Sequence, residues 1–138
     1  MDAPTADELR ANPVVQAAFV AAWADSFPDD PVLRHEEGGY IYMNPTTGGV
    51  TTRRALPGGR DYIDLSFPPN VPGALLVATY HTHAIPPHGT IVAEPSDVDH
   101  ELAVGSGIPW FVISHEGVFV TGPERRVGGL TGPPGYPF

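Results

Sequence analysis

The sequence predicts an α/β domain in which helices flank a mixed β-sheet. Three observations carry that expectation. An amphipathic helical pattern runs from Asn12-Pro13 to Phe27. Short runs of β-prone residues recur between Gly- and Pro-rich turns. The elements follow the order helix, hairpin, strands, central strand, helix, hairpin, which suits a sheet with helices packed on it.

Taken in order, Thr5-Ala6-Asp7-Glu8 has the spacing of a capping box, in which a Thr and a Glu satisfy free amides at a helix start. Asn12 and Pro13 form a second start, with Asn12 as cap and Pro13 in the first turn. Val15, Phe19 and Trp23 then recur every four residues, with Val14, Ala18 and Ala22 beside them, giving one apolar face. Phe27-Pro28 ends the pattern. Tyr40–Met43 and Val50–Arg54 read as strands of a hairpin closed by the turn over residues 44–49. Tyr62–Ser66 reads as another short strand between two loops. Ala74–Tyr80 is almost continuously apolar, as in a strand buried on both faces. His81-Thr82-His83 stands at its C-terminal end. Residues 84–95 form a long loop, and Ser96 caps a helix running to about Val104 and ended by Gly105. Trp110–Ser114 and Val118–Thr121 complete the sheet around a turn at residues 115–117.

The 138 residues suit one domain: an N-terminal helical segment over 5–26, a core over 34–121 and an irregular tail over 122–138. No stretch is long and apolar enough to span a membrane. The apolar run near the N-terminus follows Asp2, Asp7 and Glu8 rather than a basic leader, so no signal peptide is expected. The compartment stays open between the cytoplasm and export by a dedicated secretion system. The chain lacks cysteine, which excludes disulfides, thiolate zinc sites and the Pro-Cys-x-x-Cys deaminase signature. Its formal charge of −9 includes seven arginines and no lysine, and no basic patch suits a nucleic-acid backbone.

Three features carry chemistry in combination. Residues two apart on a strand share a face, so His81 and His83 can bind one ion. Ser96 and Asp99, three apart at a helix start, also share a face. Glu36-Glu37 precedes a strand. Each has a plain structural explanation alone: strand histidines, a helix cap, a solvated acidic turn. Together, two His and one Asp make a three-ligand site of the kind that leaves zinc a position for water. A glutamate, Glu36 or Glu37, can act as general base, and a serine hydroxyl can donate to a developing oxyanion.

In that order, Glu, then His-x-His, then Ser-x-x-Asp resembles the JAMM motif of the JAB/MPN metallopeptidases. The resemblance runs from about Glu36 to Thr121. It implies a JAB/MPN-like fold with cytidine-deaminase-like layering, a Zn2+ cofactor and hydrolysis of a peptide or isopeptide bond. It also implies His81, His83 and Asp99 as metal ligands, Ser96 as oxyanion helper and Glu36 as base. The match of Glu36-x-x-Gly39-Tyr40-Ile41-Tyr42 to the family register favours Glu36 over Glu37. The segment Glu36–Tyr42 and Tyr80-His81-Thr82-His83 look most like a bacterial branch found at the ends of secreted effectors and polymorphic toxins, which implies a protein or peptide substrate and an inhibitor or immunity protein as partner. Eukaryotic members usually have Pro after the second histidine, where this chain has Ala84, and a shorter segment before the serine. The substrate is therefore not carried over, and a ubiquitin-like isopeptidase stands as an alternative.

Among the other histidines, His88 in the long loop is an accessory candidate, as is Glu37, and His35 can tune its neighbour Glu36. His100 and His115 read as surface residues. A cupin also uses His-x-His, but no glutamate follows at the required spacing and a helix follows Ser96. A reading from another class is a metal-bearing, non-catalytic binding module.

Overall fold

The computed structural model describes residues 2–84 and 97–122, without the side chains of Asp97 and His100. Two helices open the chain, α1 (Ala6–Ala11) and α2 (Pro13–Asp25). Both predicted caps form: Thr5 and Glu8 exchange side chain-to-backbone hydrogen bonds, and Asn12 accepts from the amides of Val14 and Val15. The strands are β1 (Gly38–Met43), β2 (Val50–Arg54) and β3 (Leu75–His83); α3 (Asp97–Ser106) then leads to β4 (Trp110–Ser114) and β5 (Gly117–Thr121).

The five strands lie in the order β2-β1-β3-β4-β5. β3 and β4 run parallel and the other neighbours antiparallel, so the sheet is mixed. Parallel neighbours need a crossover, and α3 lies in it. One face carries the main core: Val15, Phe19 and Ala22 of α2 pack with Ile41, Tyr80, Phe111 and Ile113. Phe19 is fully buried, its ring 5.4 Å from those of both Tyr80 and Phe111. Truncating such a side chain to Ala costs about 3–5 kcal/mol. On the opposite face Tyr40, Tyr42 and Trp110 pack with Ala103 of α3 and with Ile63 and Leu65.

Several boundaries differ from those read in the sequence. Tyr62–Ser66 is a loop. The Tyr62 carbonyl accepts from the Gly59 amide, and the Asp64 carboxylate accepts from that of Ser66, so local turns take groups a ladder would have used. Ile63 and Leu65 still pack on the second core, which produced the strand-like alternation. β3 starts one residue late and includes both histidines; its first residue, Leu75, is exposed, so burial on both faces begins further along. α3 runs through Gly105 and stops before Gly107, whose φ of +73° is the left-handed conformation glycine adopts after a helix. Val14 is exposed, and Ala22 is more deeply buried than Trp23. His115 is no free surface residue: its ring meets Trp23 edge-on at 4.8 Å and its Nε2 lies 3.4 Å from the Pro28 carbonyl. Among the described residues no helix is long and apolar enough to cross a membrane. Ser96, His88, nearly all of the 84–95 loop and the tail beyond Gly122 lie outside the described residues.

Candidate metal centre

The centre lies at the C-terminal end of β3, on the face that α3 covers. Side-chain alternation puts His81 and His83 together, and the segment leading into β1 supplies the third group, Glu36. Gly38 pairs with His81, and the Thr82 amide donates to the Glu37 carbonyl at 2.8 Å, extending the pairing by a residue. Continued once more, this register draws Glu36 alongside His83. Gly38 permits the approach: a Cβ there would lie 2.3 Å from the Tyr80 carbonyl oxygen and 3.0 Å from Cβ of His81. Trp110 walls the site, its ring 6.1 Å from that of His81 and its indole N–H donating to Ser106 Oγ.

Buried Glu36, His81 and His83 lie close enough to bind a metal ion, with their ligand atoms all within 4.8 Å of one another. Asp99 joins them from α3. Its two oxygens lie 3.2 Å from His81 Nε2 and 3.3 Å from His83 Nε2, and the two Nε2 atoms are 3.2 Å apart. Two ligand triads can thus be drawn, one with Glu36 and one with Asp99. A tetrahedral ion with bonds of about 2.0–2.1 Å has ligand–ligand edges of about 3.3–3.4 Å. The Nε2–Nε2 separation matches such an edge, and each of these nitrogens lies at about that distance from a different Asp99 oxygen, so Asp99 as well as Glu36 stands where a third ligand would. Whichever of the two carboxylates serves as ligand, the other stands beside the site as an additional carboxylate. Both Nδ1 atoms are buried and, among the described residues, have no hydrogen-bond partner. Neutral histidines binding through Nε2 would carry their protons there.

The electrostatics are tightly coupled. Burial raises the Glu36 pKa to about 7, with the Asp99 and Asp61 carboxylates adding to the rise and His81 opposing it. Burial also disfavours the Asp99 carboxylate, but hydrogen bonds and charge from His81 and His83 outweigh it and hold Asp99 well below the usual range. For His81, burial disfavours the cation, yet Asp99 and Glu36 overcome it and raise the pKa.

Glu37 belongs to the opposite side of β1. Its carboxylate accepts from Arg54 Nη2 and meets His35 Nε2, and its amide donates to Thr82 Oγ1 at 3.0 Å. Arg54 also reaches Asp25 at the end of α2, at 3.0 Å. Glu37 is thus engaged by a charged network outside the candidate metal-binding group, and His35 contacts Glu37 rather than tuning Glu36. Glu36 is held differently. Its amide donates to the Gly59 carbonyl and its carbonyl accepts from the Gly58 amide, both at 2.8 Å. Nearby, Arg34 donates to the carbonyl of Ala84, just past His83.

The structure therefore brings together four of the expected site residues, Glu36, His81, His83 and Asp99, and separates Glu37 from them. The parts missed in the sequence are Arg54, Trp110 and the Gly58-Gly59 clamp. The glycine pair was visible, but it read as a generic loop because its partner, the Glu36 backbone, is distant in the chain. No family model, curated protein or solved structure matches the chain.

Proposed function

We propose that the chain is a zinc-dependent hydrolase of peptide or isopeptide bonds on a JAB/MPN-like scaffold. The observation that carries the proposal is the convergence of His81 Nε2 and His83 Nε2, 3.2 Å apart, with one Asp99 oxygen against each of them and the buried Glu36 carboxylate beside them. Two imidazoles and one carboxylate suit zinc, and the order of the motif along the chain supports the family reading. Zinc, when bound, supplies a Lewis acid and makes water acidic enough to give up a proton near neutral pH.

The protein's own contribution centres on Glu36. A carboxylate with a pKa raised to about 7 can both accept and return a proton near neutrality. Glu36 takes the proton of the attacking water as its oxygen adds to the amide carbon, then delivers it to the nitrogen as the C–N bond breaks. Asp99 holds the two histidines on one side, and Trp110 excludes water from the edge of the His81 ring. By its place in the motif, Ser96 would donate a hydrogen bond to the developing oxyanion. A bacterial effector or processing domain with a protein substrate and a dedicated inhibitor is the setting this reading favours.

Purified chain loaded with zinc, incubated with a mixture of synthetic peptides and lysine-linked isopeptides and read by mass spectrometry, tests the proposal. Cleavage by the wild type, lost in Glu36→Gln with zinc retained, is expected. Full activity in Glu36→Gln would reassign the base. A zinc-loaded wild type that cleaves nothing while the triad holds the ion would favour a metal-bearing binding module.

A further inference from the structure

Beyond the ligands, the segment most closely joined to Glu36 is the turn over residues 58–62. Gly58 and Gly59 clamp the Glu36 backbone from both sides, each at 2.8 Å, and the Gly59 amide returns to the Tyr62 carbonyl at 2.9 Å. The turn is built around the Tyr62 ring. A Cβ on Gly59 would fall 2.4 Å from Tyr62 Cε1, so the ring lies directly on the Gly59 backbone. A Cβ on Gly58 would fall 2.2 Å from the Tyr62 carbonyl oxygen. The aromatic platform is therefore supported from below, yet Tyr62 remains 70% exposed. Ile63 and Leu65 anchor the following residues to the core on the α3 side, the side that carries the metal-binding groups.

Charge around this platform is arranged unevenly. Asp61 is exposed, enters no ion pair among the described residues, and lies near enough for its charge to act on Glu36. The turn's cation, Arg60, is drawn away to the Pro31 carbonyl at 2.9 Å. Asp64 is occupied by the Ser66 amide and Arg34 by the Ala84 carbonyl. An exposed carboxylate one residue from an exposed, braced aromatic ring, and without an ion pair among the described residues, offers the chemistry that receives a cationic side chain.

We infer that Asp61 and Tyr62 form a subsite for an arginine or lysine side chain adjacent to the amide at which Glu36 acts. The subsite assigns a substrate class, basic peptides, and as a substrate site it rests on the hydrolase reading. The binding step itself does not require turnover. The acidic chain, at −9, draws such a segment in by long-range attraction.

The test is a titration of the full, 15N-labelled chain with the peptide acetyl-Gly-Arg-Gly-amide and with the same peptide carrying citrulline, the neutral isostere of arginine. The arginine peptide is expected to shift the amides of Glu36, Gly59 and Tyr62 and to bind about five-fold tighter than the citrulline peptide. Asp61→Asn should erase that difference, and Tyr62→Ala should weaken binding of the arginine peptide. Both residues are exposed, so the variants are expected to fold. Equal binding of the two peptides, or shifts confined to another surface, would overturn the subsite. Zinc-loaded chain that cleaves amides without preference for a neighbouring basic residue would also overturn it, leaving the hydrolase intact. Selective binding of the arginine peptide without cleavage of any amide would sustain the subsite and sink the hydrolase.

Discussion

Glu36 and Glu37 are neighbours in the chain and almost equally buried, at 6% and 4% exposure, yet they sit in opposite circumstances. Glu37 lies in a satisfied ionic network, with Arg54 and His35 on its carboxylate and Thr82 on its amide. Glu36 has a firmly held backbone but a carboxyl whose charge is opposed by burial and by two other carboxylates. The comparison teaches what strand alternation can do. Two identical side chains in sequence become one structural anchor and one reactive group because the extended segment entering β1 turns them towards different surroundings. The Glu37 side contributes stability, whereas the Glu36 side gives some up in exchange for a carboxyl poised near neutral pH.

The largest expected effect sharpens this contrast through pH. A carboxyl whose pKa rises on folding, here from 4.5 to about 7, is protonated in the native state while the unfolded state has already lost its proton. Stability from this group is therefore fully present below pH 4.5 and falls as pH rises towards about 7, by up to about 3 kcal/mol. Glu36→Gln removes that titration. In metal-free protein, the stability of Glu36→Gln relative to wild type should increase by up to about 3 kcal/mol between pH 4.5 and pH 8, measured by urea unfolding. A constant difference across that range would mean that Glu36 is not a destabilised carboxyl.

A smaller and opposite effect is expected on the other side of β1. Glu37→Ala leaves Arg54 with Asp25 alone and takes from His35 its carboxylate partner; the two side chains keep 33% and 22% exposure and so can recover part of their solvation. We expect destabilisation of about 2 kcal/mol, below the value for a fully buried pair. Metal binding should persist, since Glu37 is not among the convergent ligands; loss of the metal in a folded Glu37→Ala protein would break the division between the two sides. The smallest effect is expected for Thr82→Val, which deletes the acceptor for the Glu37 amide and should cost about 1 kcal/mol in the same assay.

Much of this organisation was legible in the sequence, for identifiable reasons. Period-two alternation placed His81 and His83 on one face, and the caps at Thr5 and Asn12 marked the helix starts from local chemistry alone. Asp99 could be set beside the histidines only through the motif, because the contact depends on how α3 packs. The choice between the glutamates turned on register: once Gly38 is known to face His81, parity separates Glu36 from Glu37, but strand pairing is a long-range property. Arg54 was invisible for the same reason. The false strand over Tyr62–Ser66 shows the reverse limit, since Ile63 and Leu65 alternate as a strand would while their backbone groups close turns.

The central claim is that His81, His83 and Asp99 form one metal site. Elemental analysis by mass spectrometry of tag-free protein, after offering zinc and removing the excess, tests it most directly. Wild type and Glu36→Gln should each retain about one zinc per chain, and His81→Ala/His83→Ala should retain none while keeping its circular-dichroism spectrum. A wild type that holds no metal, or a double variant that still holds it, would contradict the account.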